Sequence, residues 1–141
     1  MNGLADENVR WRKNVETSKN DNLTMIGNTL VAASFVSYIG PFSSNFRDPL
    51  WRDTWIPDII ALKIPYTEGV DPLTILSSPS EQAVWATQGL PADRVSIENA
   101  AVVTSTSRYP LLIDPQLQGI NWIKGMEGAE MVIIQLTGAR W

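Results

Sequence analysis

The chain has 141 residues, 44% of them hydrophobic, enough for one modest core. A net charge of -4 leaves no basic footprint for nucleic acid or for an anionic membrane surface. With no cysteine and no histidine, disulfides, thiolate or imidazole metal sites and Ser-His-Asp or Cys-His catalysis are excluded by inventory. The polar, mixed-charge N-terminus does not indicate a signal peptide, so a soluble intracellular protein is the expectation.

From Asp6 to Asn22 the only apolar side chains are Val9, Trp11 and Val15, and the stretch reads as an exposed helix or the end of a coiled coil. Leu23 to Ile39 is apolar nearly all round a helix, with Leu23, Met25, Ile26, Leu30, Val31, Phe35 and Val36. It is shorter than a bilayer span and interrupted by Asn28, Thr29, Ser34 and Ser37, so it is expected to be buried against protein. Gly40-Pro41 stops it. From a cap at Ser44 or Asn45, a third helix is predicted through about Lys63, carried by Phe46, Leu50, Trp51, Trp55, Ile59 and Leu62. Pro57 should kink or split it, and Trp51 and Trp55, one turn apart, are expected to anchor packing.

A loop from Ile64 to Pro72 precedes a short helix over Leu73 to Leu76, and Ser80 can cap a helix from Glu81 to Gln88 that Gly89 ends. Ser96 can cap a further turn or two, and Val102 to Thr104 reads as briefly extended. Leu111 to Ile113 reads as a buried parallel strand, Leu117 to Met126 as a helix, and Met131 to Leu136 as a second strand. The predicted fold is therefore α/β: a mostly helical N-terminal part leading into the start of a parallel sheet. That sheet is too short to cover both its faces, which suggests a truncated domain with an exposed edge.

The stretch after the first predicted strand has the frame of a phosphate loop without its chemistry. A working G-x-x-x-x-G-K-[ST] loop wraps phosphates in backbone N–H groups and adds a Lys and a hydroxyl for Mg²⁺. Here the frame is Asp114, Pro115, Gln116, Leu117, Gln118, Gly119, Ile120 and Asn121, so that Asp114 takes the first Gly, Ile120 the Lys and Asn121 the hydroxyl. An acid at the loop mouth and a hydrocarbon in place of the cation repel a triphosphate. Lys124 lies one helical turn too far to substitute, and Asp114 can instead accept the loop's own amides. Of the other acids, Glu7, Asp53, Asp58, Glu81 and Glu98 read as solvated surface, and Asp93 as a turn or cap residue. No catalytic or metal-binding residue is expected.

Several segments in order resemble the dynein heavy chain where the stalk re-enters the motor ring: Gly3 to Trp11, Ala33 to Phe42, Gln88 to Asp93, Ser96 to Asn99, and Tyr109 to Gln116 with Trp122 to Lys124. Spread over nearly the whole chain, they carry the resemblance jointly. It implies that residues 1–22 are the stalk-base end of a coiled coil and residues 23–141 the N-terminal part of the fifth AAA+ module. It also implies that Leu90 to Asp93 and Ser96 to Val103 border what is an adenine pocket in active modules. This chain departs from the family with Asn99-Ala100 where members carry Asn-Gly, and with Leu117 where many have Gly or a small polar residue. The resemblance further implies a non-hydrolysing ring segment of an ATP-driven, minus-end-directed microtubule motor, with ATP and Mg at other modules. Its partners would be neighbouring AAA+ modules and the stalk of the same heavy chain, microtubules through the intact motor, and dynein intermediate and light chains. Nucleic acid and membrane are not among them. Gly40-Pro41-Phe42 and the Asp114 to Lys124 run look more like the outer-arm ciliary forms, which implies the ciliary or flagellar axoneme. Two alternatives stay open: a free-standing helical scaffold derived from a dynein, and an active P-loop NTPase, which would need Lys at position 120.

Overall fold

Helix follows helix through the computed structural model, which describes residues 3–134. The first, α1, runs unbroken from Gly3 to Tyr38. The two stretches read separately from the sequence are one rod, because no Pro interrupts them and the single Gly27 is tolerated by a helix this long. Its apolar second half was expected to be buried all round, and that is corrected. Gly27, Val31, Phe35 and Ile39, spaced four apart, are buried, while Leu23, Met25, Ile26 and Leu30 are exposed. The rest of the described chain lies against one face of the rod only.

After the Gly40-Pro41 break come α2, Ser44–Pro49, a π-helical segment, Leu50–Trp55, and α3, Ile56–Ala61. The split expected at Pro57 thus takes the form of a widened turn just before it. The Ile56 N–H bonds five residues back to the Trp51 carbonyl, and Pro57, which has no N–H to give, opens α3. The widening keeps Trp51 in the core beside Phe35 and Ile39, with Trp55 packed partly against them.

Two short helices follow, α4, Pro72–Leu76, and α5, Pro79–Thr87. The cap of α5 is Ser78, not Ser80. Its hydroxyl accepts from the Glu81 N–H while the Glu81 carboxylate accepts from the Ser78 N–H at 2.7 Å, a reciprocal box with Pro79 in the first turn. The next helix, α6, spans Arg94–Ser105 and is capped by Asp93, whereas Ser96 is the residue that donates to that cap. The last, α7, is Gln118–Glu127, followed by a 3₁₀ turn, Gly128–Glu130. Trp85 of α5 meets Trp122 of α7 edge to face, ring centres 6.2 Å apart, over Ala100 and Ala101 of α6. Leu76 packs against both this cluster and the Phe35–Trp51 cluster, joining them.

The parallel sheet expected of the C-terminal part is absent among the described residues. Val102 to Thr104 lies inside α6, and Leu111 to Ile113 and Met131 to Ile134 form no ladder. Gln135 and Leu136, the rest of the second predicted strand, lie outside the described residues. Leu111 and Ile113 are 92% and 91% exposed. A strand exists only where a neighbour takes its N–H and C=O groups, and none runs alongside. The architecture is helical, not α/β. Among the described residues no helix is long and apolar enough to cross a membrane.

Candidate functional site

The degenerate loop sits at the N-terminus of α7 and is tied by its own acid. Asp114 Oδ1 accepts the Gln118 N–H at 3.0 Å and Oδ2 accepts the Ile120 N–H at 2.9 Å. These are amides that no earlier turn of helix can satisfy, at the positive end of the peptide dipoles, where a carboxylate is favoured. Leu117 precedes the helix at φ 60°, a left-handed conformation that costs a non-glycine residue about 1 kcal/mol. Its N–H bonds the Asp114 carbonyl at 3.2 Å, closing the turn. Gly119 is closely approached: a Cβ there would stand 3.2 Å from both Asp114 Oδ2 and Leu112 Cδ2, so one of these side chains would have to give by a few tenths of an ångström. Ile120 is half-buried, while Pro115, Gln116, Asn121 and Lys124 are exposed.

Part of the stretch expected to border an adenine pocket faces this loop, while Glu98 within it is turned to the arginines. Leu90, Asp93 and Ser96 line a cleft of about 350 Å³ whose other side is Asp114, Gly119 and Trp122. Asp93 is engaged in its cap, and the Ser96 hydroxyl and N–H hold its carboxyl below the ordinary carboxylate range. Asn99 and Ala100 both lie within α6, so no turn occurs there, and the Asn99 carboxamide is occupied elsewhere.

That occupation belongs to a charge network that sequence reasoning missed. Glu98 was expected on the solvated surface, yet it is 2% exposed and held by two arginines. Arg47 of α2 donates to Glu98 Oε2 at 2.9 Å, to Asn99 Oδ1 at 2.8 Å and to the Phe42 carbonyl at 2.8 Å. Arg94 donates to Glu98 Oε1 at 2.7 Å and pairs with Asp71, the cap of α4, at 2.9 Å. Those partners, Asp71 first, raise the Arg94 pKa further. Burying a carboxylate is tolerated when its oxygens are paired and hydrogen-bonded, as both Glu98 oxygens are here. The available signal was weak: Ile97 and Ala101 flank Glu98 on the inward face of α6, which a helical wheel reports without naming the arginine. Among the described residues, no group of three or more His, Cys, Asp or Glu side chains could hold a metal ion.

A long helix with an exposed N-terminal half thus leads into a helical body whose last helix, α7, begins within the Asp114 to Asn121 loop. Two family models match parts of the chain: the microtubule-binding stalk of dynein motor over residues 1–59, which run past α1 into α3, and the ATP-binding dynein motor region over residues 83–141. The chain belongs to the dynein heavy chain family. It is 48% identical to dynein axonemal heavy chain 17 of Mus musculus and 46% identical to the ciliary dynein beta chain of Heliocidaris crassispina, each over 96% of this chain. It is 45% identical, over its full length, to the dynein beta chain of the flagellar outer arm of Chlamydomonas reinhardtii. The chain spans about 3% of the length of these relatives.

Proposed function

We propose that this segment is a non-hydrolysing structural part of an axonemal dynein motor. Residues 1–22 form the base of the returning stalk helix and residues 23–141 the N-terminal part of the fifth AAA+ module. The observation that carries the reading is the Asp114 carboxylate seated on the Gln118 and Ile120 amides, with Ile120 where a cation is required. An internal anion already satisfies the donors that a phosphate would need, so the residues of this loop do not fit a nucleotide, and ATP and Mg²⁺ act at other modules.

The role left to the segment is mechanical. Continuous α1 carries displacement between the stalk and the ring, and the two joined cores with the Arg47–Glu98 pair make the body that receives it. Its partners are neighbouring AAA+ modules and the stalk of the same heavy chain. Microtubules are reached through the intact motor, and intermediate and light chains through the assembled complex. The names of the relatives, axonemal, ciliary and flagellar, support a place in the axoneme.

Equilibrium binding of labelled ATP with Mg²⁺ to the purified chain tests the central point. The expected result is no saturable binding, and a micromolar Kd would overturn the reading.

A further inference from the structure

From Glu7 to Leu23 every residue of α1 is exposed, and the first buried residue after Glu7 is Gly27. What covers it is the connection between α3 and α4. A Cβ on Gly27 would overlap the Pro65 carbonyl oxygen and stand 2.7 Å from Tyr66 Cβ, so the backbone of the connection lies directly on the helix. On either side of that contact the connection is hydrogen-bonded to α1. Asn28 Oδ1 accepts the Thr67 N–H at 2.9 Å, Asn28 Nδ2 donates to Thr67 Oγ1 at 2.9 Å, and Thr67 Oγ1 donates to Thr24 Oγ1 at 3.2 Å.

Both ends of the connection are fastened to the body. The Ile64 N–H bonds the Ile59 carbonyl of α3, and Asp71 at the other end is paired with Arg94 of α6.

We propose that Pro65 to Thr67 is a register lock, which holds α1 at Gly27 against both sliding and rolling relative to the body. A slide of one turn, about 6 Å for four residues, would bring Leu23 or Val31 under the Pro65 carbonyl. A slide of three residues would bring Thr24 or Leu30. Every one of these carries a Cβ where only Gly27 has room. The same slides exchange Asn28 for Thr24, Ala32, Met25 or Val31, none of which offers an amide's paired donor and acceptor to Thr67. Rolling separates Thr24 and Asn28 from Thr67 together. Axial movement of the exposed part of α1 relative to a partner helix therefore arises by movement of that partner or by bending before Thr24, and not by slip at the base.

This rests on the reading of α1 as the stalk base. Its test is Thr24→Cys with Thr67→Cys in the full-length heavy chain, where the two hydroxyls replaced stand 3.2 Å apart; the single variants and the unaltered chain are oxidised in parallel. The disulfide is expected to form at rates within twofold without nucleotide, with ADP and with a non-hydrolysable ATP analogue. The oxidised motor should keep its microtubule-stimulated ATPase within twofold of the reduced one. A tenfold dependence of cross-linking on nucleotide state, a stimulation lost on oxidation and restored by reductant, or no disulfide in any state would each overturn the lock. An unaltered heavy chain without microtubule stimulation would instead count against the proposed function, and the cross-linking rates would still decide the lock.

Discussion

Phe35 of α1 and Ile39 just after it are wholly shielded from solvent, whereas Leu111 and Ile113, just as apolar, are almost wholly exposed. The two regions differ in what their neighbours supply. The final turns of α1 meet the π-helical segment and α6 across the chain, so their hydrocarbon is removed from water at about 25 cal/mol per Å². Leu111 and Ile113 meet no such surface among the described residues, and these β-prone side chains acquire neither ladder nor cover. Hydrophobicity is a local property, but burial needs a second surface.

The largest test of that contrast lies on the packed side. Phe35→Ala should lower unfolding stability by about 3–5 kcal/mol, read as a shifted denaturant midpoint. Glu98→Ala, which leaves Arg47 buried beside no carboxylate, should cost a similar amount, about 3–5 kcal/mol. The double variant Arg47→Met with Glu98→Leu should be milder than Glu98→Ala alone. A Glu98→Ala chain as stable as the parent would mean that Glu98 is not buried as described.

An intermediate effect is expected at the loop. Asp114→Ala removes one carboxylate from two amides and should cost about 0.5–2 kcal/mol, as helix caps do. It should not create ATP affinity, since Ile120 remains, and calorimetric titration of the variant checks both halves.

Acid sharpens the capping argument. The Asp93 carboxyl lies below its ordinary value in the folded chain because of Ser96, so the unfolded chain binds the extra proton first. Its contribution is present above the ordinary aspartate pKa, near 3.9, and is lost as pH falls through the depressed value. Asp93→Asn should flatten the stability profile there and leave the slope near neutrality unchanged, which denaturant midpoints against pH would reveal. The smallest effect belongs to the exposed side, where Ile113→Ser should change stability by less than about 0.5 kcal/mol. A larger loss would show that Ile113 is covered.

Much of this molecule was legible before its folding was known. The stops at Gly40-Pro41 and Gly89, the break near Pro57, the packing of Trp51 and the carboxylate at the loop mouth all follow from groups that act within a turn or two of themselves. Cap positions were misplaced by two or three residues because Ser78 and Asp93 compete with Ser80 and Ser96 for the same amides, and φ/ψ decides between them. By itself the sequence determined most of the helices, the missing lysine and hydroxyl of the phosphate-loop frame, and the family resemblance, but not the fold class. Only the tertiary structure decided that Glu98 is buried between two arginines, that Gly27 lies beneath Pro65, and that the β-prone segments stay unpaired. The Arg47–Glu98 pair and the Gly27–Pro65 contact join residues far apart in the chain, the unpaired segments lack a partner among the described residues, and local pattern carries no information about which distant surface will arrive.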